Sequence, residues 1–193
     1  MTKLPLSWFD GTDVVEISRA LIGKIIRTRF DDGLTSGRII ETEAYAGVTD
    51  KASHAYGGRR TSRTEIMYAQ AGTAYVYLCY GIHHLFNIVT NQPDIPHAVL
   101  IRAILPLEGE ALIRARLKKT ASVPSAKLAL GPGLVAKALG ISTHHTGLLL
   151  NDSISIWDDG FRPEAIRITP RIGIDYAQED KDLPYRFLLT EKS

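Results

Sequence analysis

Hydrophobic residues recur along the chain with two different periods, and each change of period marks a predicted element. After the helix-capping run Gly11-Thr12-Asp13, apolar residues follow at helical spacing until Gly23, which predicts a first helix of about ten residues. Lys24–Phe30 and Leu34–Tyr45 are instead rich in β-branched and aromatic residues, and they flank the turn sequence Asp31-Asp32-Gly33. The pattern therefore predicts a helix followed by a β-hairpin.

The middle of the chain predicts a polar loop and then several strands. The loop spans Ala46–Arg63, and Thr61 or Ser62 is positioned to cap a short helix that runs to Ala69. Three β-rich runs follow, separated by Gly81 with two histidines and by two prolines: Thr73–Tyr80, Leu85–Asn91 and Ala98–Leu105. These runs supply the central strands of a predicted sheet.

Two further helices and a broken C-terminal region complete the predicted elements. Leu107–Leu117 has helical periodicity, and Gly131-Pro132-Gly133 opens another helix that ends at Gly140. Glycine and proline then divide the chain into short strands at Gly160, Pro163, Pro170 and Pro184. The prediction is an α+β fold, a single domain of residues 1–193 with a curved antiparallel β-sheet and peripheral helices.

Composition restricts the class of protein. At 45% hydrophobic over 193 residues, the chain can bury a sizeable core, which argues against disorder. Its single cysteine, Cys79, cannot form an intramolecular disulfide. Asp10, Asp13, Glu16 and Arg19 interrupt the N-terminal segment, which fits neither a signal peptide nor a membrane helix. We therefore expect a cytoplasmic monomer that does not bind membranes.

Basic residues are concentrated in two stretches that lack acidic residues, although the formal net charge is only +2. One stretch spans Ala111–Asn151 and the other spans Lys51–Thr64. Solvated surfaces normally mix charges of both signs, so acid-free stretches favour contact with nucleic acid. A solvated helix face is the alternative, and the charge pattern alone leaves both open.

Two carboxylates interrupt the predicted strand that ends at Tyr45. Residues two apart share a face of a regular strand, so Glu41 and Glu43 are predicted to lie on one face together with Ile39 and Tyr45. Glutamate is depleted in strands, and a carboxylate on a buried strand requires a partner cation or a catalytic task. An ion-paired edge strand is the alternative interpretation.

Three tyrosines lie close together in the next predicted strand. Tyr75 and Tyr77 share a face, a pattern that is most typical of core packing. Tyr80 precedes Gly81 at a predicted hairpin tip and is expected to project from the protein. A projecting planar side chain beside a basic surface is suited to filling the gap that an extruded nucleic-acid base leaves.

Other catalytic chemistries lack their sequence motifs. Cys79, His83, His84 and His97 do not form an HExxH helix, and adjacent histidines in a strand point to opposite sides, which disfavours a shared metal. Neither a glycine-rich phosphate loop nor GxSxG occurs. A carboxylate, tyrosines, a histidine and arginines remain, and this set suits hydrolysis through an activated water.

An ordered series of short motifs covers most of the chain between residues 6 and 189. The motifs are Ala20-Leu21-Ile22-Gly23-Lys24, Gly37-Arg38-Ile39-Ile40-Glu41-Thr42-Glu43-Ala44-Tyr45, His54 with Gly57-Gly58-Arg59 and Thr61, Met67, Gly72-Thr73-Ala74-Tyr75-Val76-Tyr77, Tyr80-Gly81, Asn87-Ile88, Leu100-Ile101-Arg102-Ala103, Pro106-Leu107-Glu108-Gly109 and Gly131-Pro132. In this order they resemble the alkyladenine, or 3-methyladenine, DNA glycosylases of the methylpurine-DNA glycosylase family. The resemblance implies one α+β domain around a curved antiparallel sheet, with no metal and no separate cofactor.

The resemblance also implies a reaction. Glu43 looks like the general base that deprotonates water for attack on C1′ of the sugar, and Arg102 looks like its partner in holding that water. The expected enzyme is a monofunctional, hydrolytic DNA glycosylase that excises alkylated purines of the 3-methyladenine type in base excision repair. A cationic alkylated purine is the better leaving group and demands less of Glu43. The range among neutral lesions, such as hypoxanthine and ethenoadenine, stays open.

The residues that bind the extruded base are implied in the same way. Tyr45 and Tyr77 look like stacking walls, and the backbone at His54 looks like a contact to the base edge. Asn87 resembles the residue that senses the purine 2-position and disfavours guanine. Tyr80 looks like the intercalating wedge. Extruding a base costs a few kcal/mol, which aromatic contacts of about 1–3 kcal/mol each can offset.

The expected partner is double-stranded DNA that contains damaged purines. The residues we select for its phosphate backbone are Arg59, Arg63, Lys119 and Lys127. Two alternatives stay open. A noncatalytic nucleic-acid-binding module would leave Glu43 merely ion-paired, and a hydrolase of free nucleosides would need neither the basic stretches nor an exposed Tyr80.

Overall fold

An antiparallel β-sheet crosses the whole molecule in the computed structural model, which describes residues 1–190. The strands in this range are β1 Thr2–Lys3, β2 Ile25–Phe30, β3 Gly33–Tyr45, β4 Ala74–Cys79, β5 His83–Thr90, β6 His97–Pro106, β7 Ala129–Leu130, β8 Ile154–Asp158, β9 Ala165–Thr169 and β10 Arg186–Thr190. The main path of the sheet is β1-β8-β2-β3-β6-β5-β4, with β7 beside β6 and with β10 between β3 and β9. The predicted α+β fold around an open, curved antiparallel sheet is confirmed.

Helices cover the sheet, and short 3₁₀ turns connect the elements. The α-helices among residues 1–190 are α1 Val14–Ala20, α2 Glu110–Leu117 and α3 Pro132–Leu139. The 3₁₀ turns are Leu6–Phe9, Gly47–Thr49, Tyr56–Gly58, Glu65–Tyr68, Ser125–Lys127, Thr143–His145 and Asp175–Asp182. The Asp13 carboxylate caps α1 as predicted, since it accepts hydrogen bonds from the N–H groups of Val15 and Glu16.

Apolar side chains bury against both faces of the sheet. The main core lies between the sheet and the helices and includes the fully buried Phe9, Phe86 and Ile104. A smaller cluster lies on the other face, under the loop between β3 and β4, and includes Met67 and Tyr75. The sheet therefore separates the main core from a smaller cluster that the loop covers.

The pairing between β3 and β6 contains an irregularity that matters for the site. Over residues 37–39 and again over residues 42–45, β3 pairs with β6 in the same regular register. Between these two parts the register slips on both strands, so Ile40 and Arg102 bulge out of the ladder. A bulge changes the direction of the side chain that it carries.

The bulges also exchange the two faces of β3. Ile39 faces the main core before the bulge, and Thr42 and Ala44 face it afterwards. Glu43 and Tyr45 lie on the opposite face. The prediction that Ile39 shares a face with the strand carboxylates is wrong, because the two-residue rule holds only in an unbroken ladder.

Two other predicted elements differ from the structure. The helix expected to reach Ala69 is only the 3₁₀ turn Glu65–Tyr68, since the Thr61 and Thr64 hydroxyls bond locally and compete with a helical ladder. The C-terminal region is not strands throughout, because residues 170–185 between β9 and β10 contain irregular chain and a 3₁₀ turn. That irregular segment contributes to the candidate site.

Candidate active site

Arg102 and the two strand carboxylates form one hydrogen-bonded cluster. The bulge on β6 directs Arg102 toward β3, where Nε donates to Glu41 Oε1 at 2.9 Å and Nη1 donates to Glu43 Oε2 at 3.3 Å. Arg186 on β10 donates from Nε to the same Glu41 oxygen at 2.6 Å. At these carboxylates β3 lies between β6 and β10, so the edge-strand interpretation is wrong.

Glu43 is the more enclosed of the two carboxylates, with 0% of its surface exposed. Oε2 also accepts the Tyr45 hydroxyl at 2.9 Å, and Oε1 accepts the backbone N–H of Ile172 at 2.9 Å. A carboxylate offers about four acceptor positions, so the donors from Tyr45, Arg102 and Ile172 leave room for one more.

The surroundings of Glu43 act on its pKa in opposite directions. Burial raises the pKa above its ordinary value, and Arg102, the Ile172 N–H and the Tyr45 hydroxyl oppose that rise. The resulting direction is upward. A raised pKa makes the ionised carboxylate a stronger proton acceptor, which suits a general base.

A small pocket lies beside this cluster on the side of Tyr45. Its lining consists of Tyr45, Ala52, His54, Met67, Tyr75, Tyr77, Asn87, Ala98 and Tyr176. The structure therefore brings together all four residues that the sequence assigned to a base pocket. The cavity is about 40 Å³, whereas a cavity of about 150 Å³ is known to hold a benzene ring. Side chains at the mouth must therefore move before a purine can enter.

His54 and Arg63 form one side of the pocket mouth. His54 Nδ1 lies 2.8 Å from the Tyr75 hydroxyl, and Nε2 lies 3.3 Å from Arg63 Nη2. A guanidinium group only donates, so Nε2 accepts and Nδ1 carries the proton. Burial, with the charges of Arg63 and Arg59, lowers the pKa of His54 to about 4. The imidazole is therefore neutral at neutral pH.

Aromatic rings and a rigid amide complete the pocket. The Tyr75 and Tyr77 ring centres are 5.4 Å apart, and the Arg63 guanidinium lies 4.9 Å from the Tyr77 ring centre. Asn87 is buried, and its Nδ2 donates to the carbonyl oxygens of Tyr75 and Leu85. These two bonds hold the Asn87 amide in one orientation at the pocket wall.

Tyr80 directly follows the C-terminal end of β4 and projects from the protein. The residue is 91% exposed and has φ 50°, and Gly81 follows with φ 71°. Two consecutive left-handed residues form a tight turn closed by the Ile82 N–H on the Cys79 carbonyl at 3.1 Å. An apolar groove beside the turn is lined by His83 and by the start of α3, among other residues. Tyr80 is therefore held away from the core, as its sequence position predicted.

The basic residues separate into paired and free groups. Arg60 is paired with Glu65 and Asp94, and Arg114 and Arg116 are paired with Glu110 and Asp32. Within residues 1–190, no carboxylate pairs with the four cations that the sequence selected for DNA: Arg59, Arg63, Lys119 and Lys127. All four are exposed, so their charges are available to a partner. Arg63 differs from the others because it lies over the pocket mouth.

Several residues of the site were not assigned to it from the sequence. Tyr75 was interpreted as core, although its shared strand face with Tyr77 was the signal that places both in the pocket. Tyr176 and the Ile172 N–H come from the irregular segment before β10, far along the chain from Glu43. Neither has a local sequence signal, because a backbone donor can come from almost any residue type.

Two other classes of site are not found in the part of the chain that the structure describes. Among residues 1–190, no three histidine, cysteine, aspartate or glutamate side chains are grouped closely enough to hold a metal ion. No helix in the same range is both long enough and apolar enough to cross a membrane. The site in this range consists of a buried carboxylate, an arginine and an aromatic pocket.

Comparisons with known proteins identify the family and several relatives of the chain. A model of the methylpurine-DNA glycosylase family matches residues 7–193. A protein of Chlamydia abortus named "Putative 3-methyladenine DNA glycosylase" is 48% identical over 191 residues, covering 98% of this chain and all of that protein. Proteins of the same name from Bacillus subtilis and Clostridium perfringens are 41% and 39% identical and cover 97% and 95% of this chain, with 93% and 94% of their own lengths matched.

The family match and these relatives define the class of protein: it is an enzyme, a hydrolase that acts on N-glycosyl bonds. Membership of this enzyme class contradicts the noncatalytic module. The chain belongs to the methylpurine-DNA glycosylase family, and its substrate is DNA.

Proposed function

We propose that this enzyme extrudes alkylated purines of the 3-methyladenine type from duplex DNA and hydrolyses their N-glycosyl bond with Glu43 as the general base. The observation that carries the proposal is the position of Tyr45. Its ring lines the pocket, and its hydroxyl donates to Glu43 Oε2 at 2.9 Å. A base stacked on Tyr45 would therefore bring its own sugar close to the carboxylate.

The reaction is a displacement by water at C1′. Glu43 accepts a proton from the water, the water oxygen bonds to C1′, and the bond from C1′ to the purine nitrogen breaks with its electron pair on the purine. Arg102 stays between Glu41 and Glu43, where its Nη1 helps to orient the water and the carboxylate. The products are an abasic sugar and a free base. No amine nucleophile takes part, so no Schiff base forms with the sugar and the strand is not cleaved.

Selection of damaged bases follows from the pocket and from leaving-group chemistry. A cationic alkylated purine is attracted to the faces of Tyr45 and Tyr77 and leaves readily. The His54 backbone contacts the base edge, and the fixed amide of Asn87 opposes the 2-amino group of guanine. Hypoxanthine and ethenoadenine are neutral, so their release depends more strongly on Glu43.

Extrusion requires a substitute for the base in the stack. Tyr80 is the exposed aromatic residue at a rigid turn, and we assign it the wedge role. Stacking contacts of about 1–3 kcal/mol each compensate for the few kcal/mol that extrusion costs. Arg59, Arg63, Lys119 and Lys127 would then contact phosphates on either side.

The test is base release from methylated duplex DNA, followed by chromatography of the free purines. We expect 3-methyladenine in the wild-type reaction and much slower release with Glu43→Gln. Parallel duplexes with hypoxanthine or ethenoadenine define the neutral range. Accumulation of abasic sites without strand breaks is expected, and breaks that form without alkali would contradict the hydrolytic mechanism. Activity on free nucleosides that undamaged duplex does not compete with would also contradict the proposal.

A further inference from the structure

A buried ion pair lies directly against Tyr45. The Arg171 and Asp50 side chains are 0% and 1% exposed, and both guanidinium Nη atoms donate to the Asp50 carboxylate. Nη1 also donates to the Ala44 carbonyl at 2.9 Å, and Nη2 donates to the Asp180 carbonyl at 3.2 Å. These four bonds use every Nη hydrogen, so the guanidinium is fixed in one orientation.

The pair joins three separate parts of the chain. Ala44 belongs to β3, and Asp50 belongs to the loop that leads to the pocket. Asp50 also accepts the N–H groups of Ala46 and Ala52, so its carboxylate organises that loop as well. Arg171 lies near the start of the irregular segment before β10. The segment and the loop are therefore held in a fixed relation to the strand that carries Glu43.

The ion pair adjoins both the hydrogen-bond donor to Glu43 and the Tyr45 wall of the pocket. The residue after Arg171 is Ile172, whose N–H donates to Glu43 Oε1. The Arg171 guanidinium carbon lies 4.9 Å from the Tyr45 ring centre, on a wall of the pocket. The Arg171 side chain thus supports both the N–H that donates to Glu43 and the Tyr45 ring on which the purine would stack.

Stability alone is a weak reason for such a pair. Burying two charges removes their hydration, and well-packed apolar residues of similar volume often replace a buried pair without loss of stability. Precise placement of the groups around the pair is the property that an apolar replacement cannot supply, since it lacks the forked donors.

We propose that Arg171, held by Asp50, is the positioning residue of the active site: it keeps the Ile172 N–H on Glu43 and braces Tyr45. This inference rests on the proposed role of Glu43. Arg171 acts through these two groups and does not itself contact the reacting atoms.

The proposal has a signature in the pH dependence of base release. The charged and titratable groups around Glu43 are Glu41 and Tyr45 on β3, Arg102 on β6, Arg186 on β10, and Arg171 and Tyr176 on the irregular segment. The Ile172 N–H is one of the influences that lower the pKa of Glu43. Displacement of this N–H would raise the pKa of Glu43. As the pH falls, Glu43 would then become protonated, and activity would be lost, at a higher pH than in the wild-type enzyme.

The test compares Arg171→Lys with wild type in single-turnover release of a base that the wild-type enzyme releases, across a pH series. Lysine keeps the charge but not the fork. We expect the rate to fall by about 10- to 100-fold, the effect of misplacing a reacting group, and the acid limb to move to higher pH. Asp50→Asn keeps the side-chain shape but removes the charge that holds the fork, and it should lower the rate as well.

The matched control is Arg38→Lys. Arg38 forms a similarly forked but less buried pair with Asp159, donates to the Gly23 carbonyl at 2.7 Å and lies over the Phe161 ring, away from the pocket. We expect it to lose thermal stability while its rate and acid limb stay at the wild-type values.

Three outcomes would overturn the proposal. In the first, Arg171→Lys and Asp50→Asn both release base at the rate of Arg38→Lys. In the second, Arg171→Lys lowers the rate without moving its acid limb. In the third, neither variant folds. The last outcome would indicate a structural role only. If wild type and Arg38→Lys release no damaged base at all, the proposed function itself fails, which separates the two inferences.

Discussion

Replacing Glu43 by glutamine changes the proposed base with little change of shape. The amide oxygen can take the place of Oε2 and still accept from Tyr45 and Arg102. Its NH₂ group then faces the Ile172 N–H, so one hydrogen bond is lost. The opposite orientation places NH₂ against Arg102 and loses more, which makes the first arrangement the favoured one.

The expected magnitudes follow from this arrangement. The lost hydrogen bond to a charged group should cost about 1.5–3 kcal/mol of folding stability, and the removal of a fully buried charge opposes that loss. Glu43→Gln should therefore fold and bind damaged DNA. Loss of a general base reduces the rate by about 10²–10⁴-fold, equivalent to about 2.7–5.4 kcal/mol in the barrier at 1.36 kcal/mol per factor of ten. The reduction should be largest for neutral bases, which leave less readily.

The assay is single-turnover release of a neutral and a cationic base from matched duplexes across a pH series. Burial raises the pKa of Glu43, and the base is active only when ionised. Wild-type activity should thus fall as the pH is lowered, and the fall should begin at a higher pH than for an ordinary glutamate. Glu43→Gln should lack this acid limb of the pH profile. Excision by the variant within tenfold of wild type on the neutral base would refute the assignment of Glu43.

Three further predictions concern Arg102's other partner, the wedge and the free cations. Glu41→Gln should lower base release by about tenfold, as expected for weakening one charge-assisted hydrogen bond, and a greater loss than with Glu43→Gln would exchange the two roles. Tyr80→Ala should weaken binding of damaged duplex by about 1–3 kcal/mol, and equal losses on paired and mispaired lesions would contradict the wedge. Each phosphate-contacting cation that is removed should reduce the slope of log K against log salt by about 0.9, and four unchanged slopes would mean solvated charges. The variants are Arg59→Ala, Arg63→Ala, Lys119→Ala and Lys127→Ala.

Local patterns in the sequence predicted much of the fold. The hairpin of β2 and β3 follows from β-branched residues on either side of a short turn, and the Asp13 cap follows from the residue types that accept backbone N–H groups. The exposure of Tyr80 follows from its place before Gly81. In each case the determining contacts lie within a few residues of one another.

The parts that the sequence could not predict depend on distant contacts. The slip that redirects Arg102 has no composition signal, because neither bulged residue is a glycine or a proline. The donor to Glu43 is a backbone N–H 129 positions away, and the Arg171 pair joins residues 121 positions apart. Tertiary packing, and not local preference, selects such partners.

The face exchange at the bulges has a consequence for mutational tolerance along both strands. On β3, Ile39 faces the core before the slip and Thr42 and Ala44 face it afterwards, and on β6 the corresponding change lies between Ile101 and Ile104. In a survey of protein abundance over all single substitutions, sensitivity to charged residues should alternate along each strand and then shift phase by one position at the slip. Positions beyond it that a regular ladder would assign to the core can carry polar side chains without unfolding the protein. The same shift gives the apolar interior and the reacting groups separate positions on one continuous strand, so each set can vary with little effect on the other.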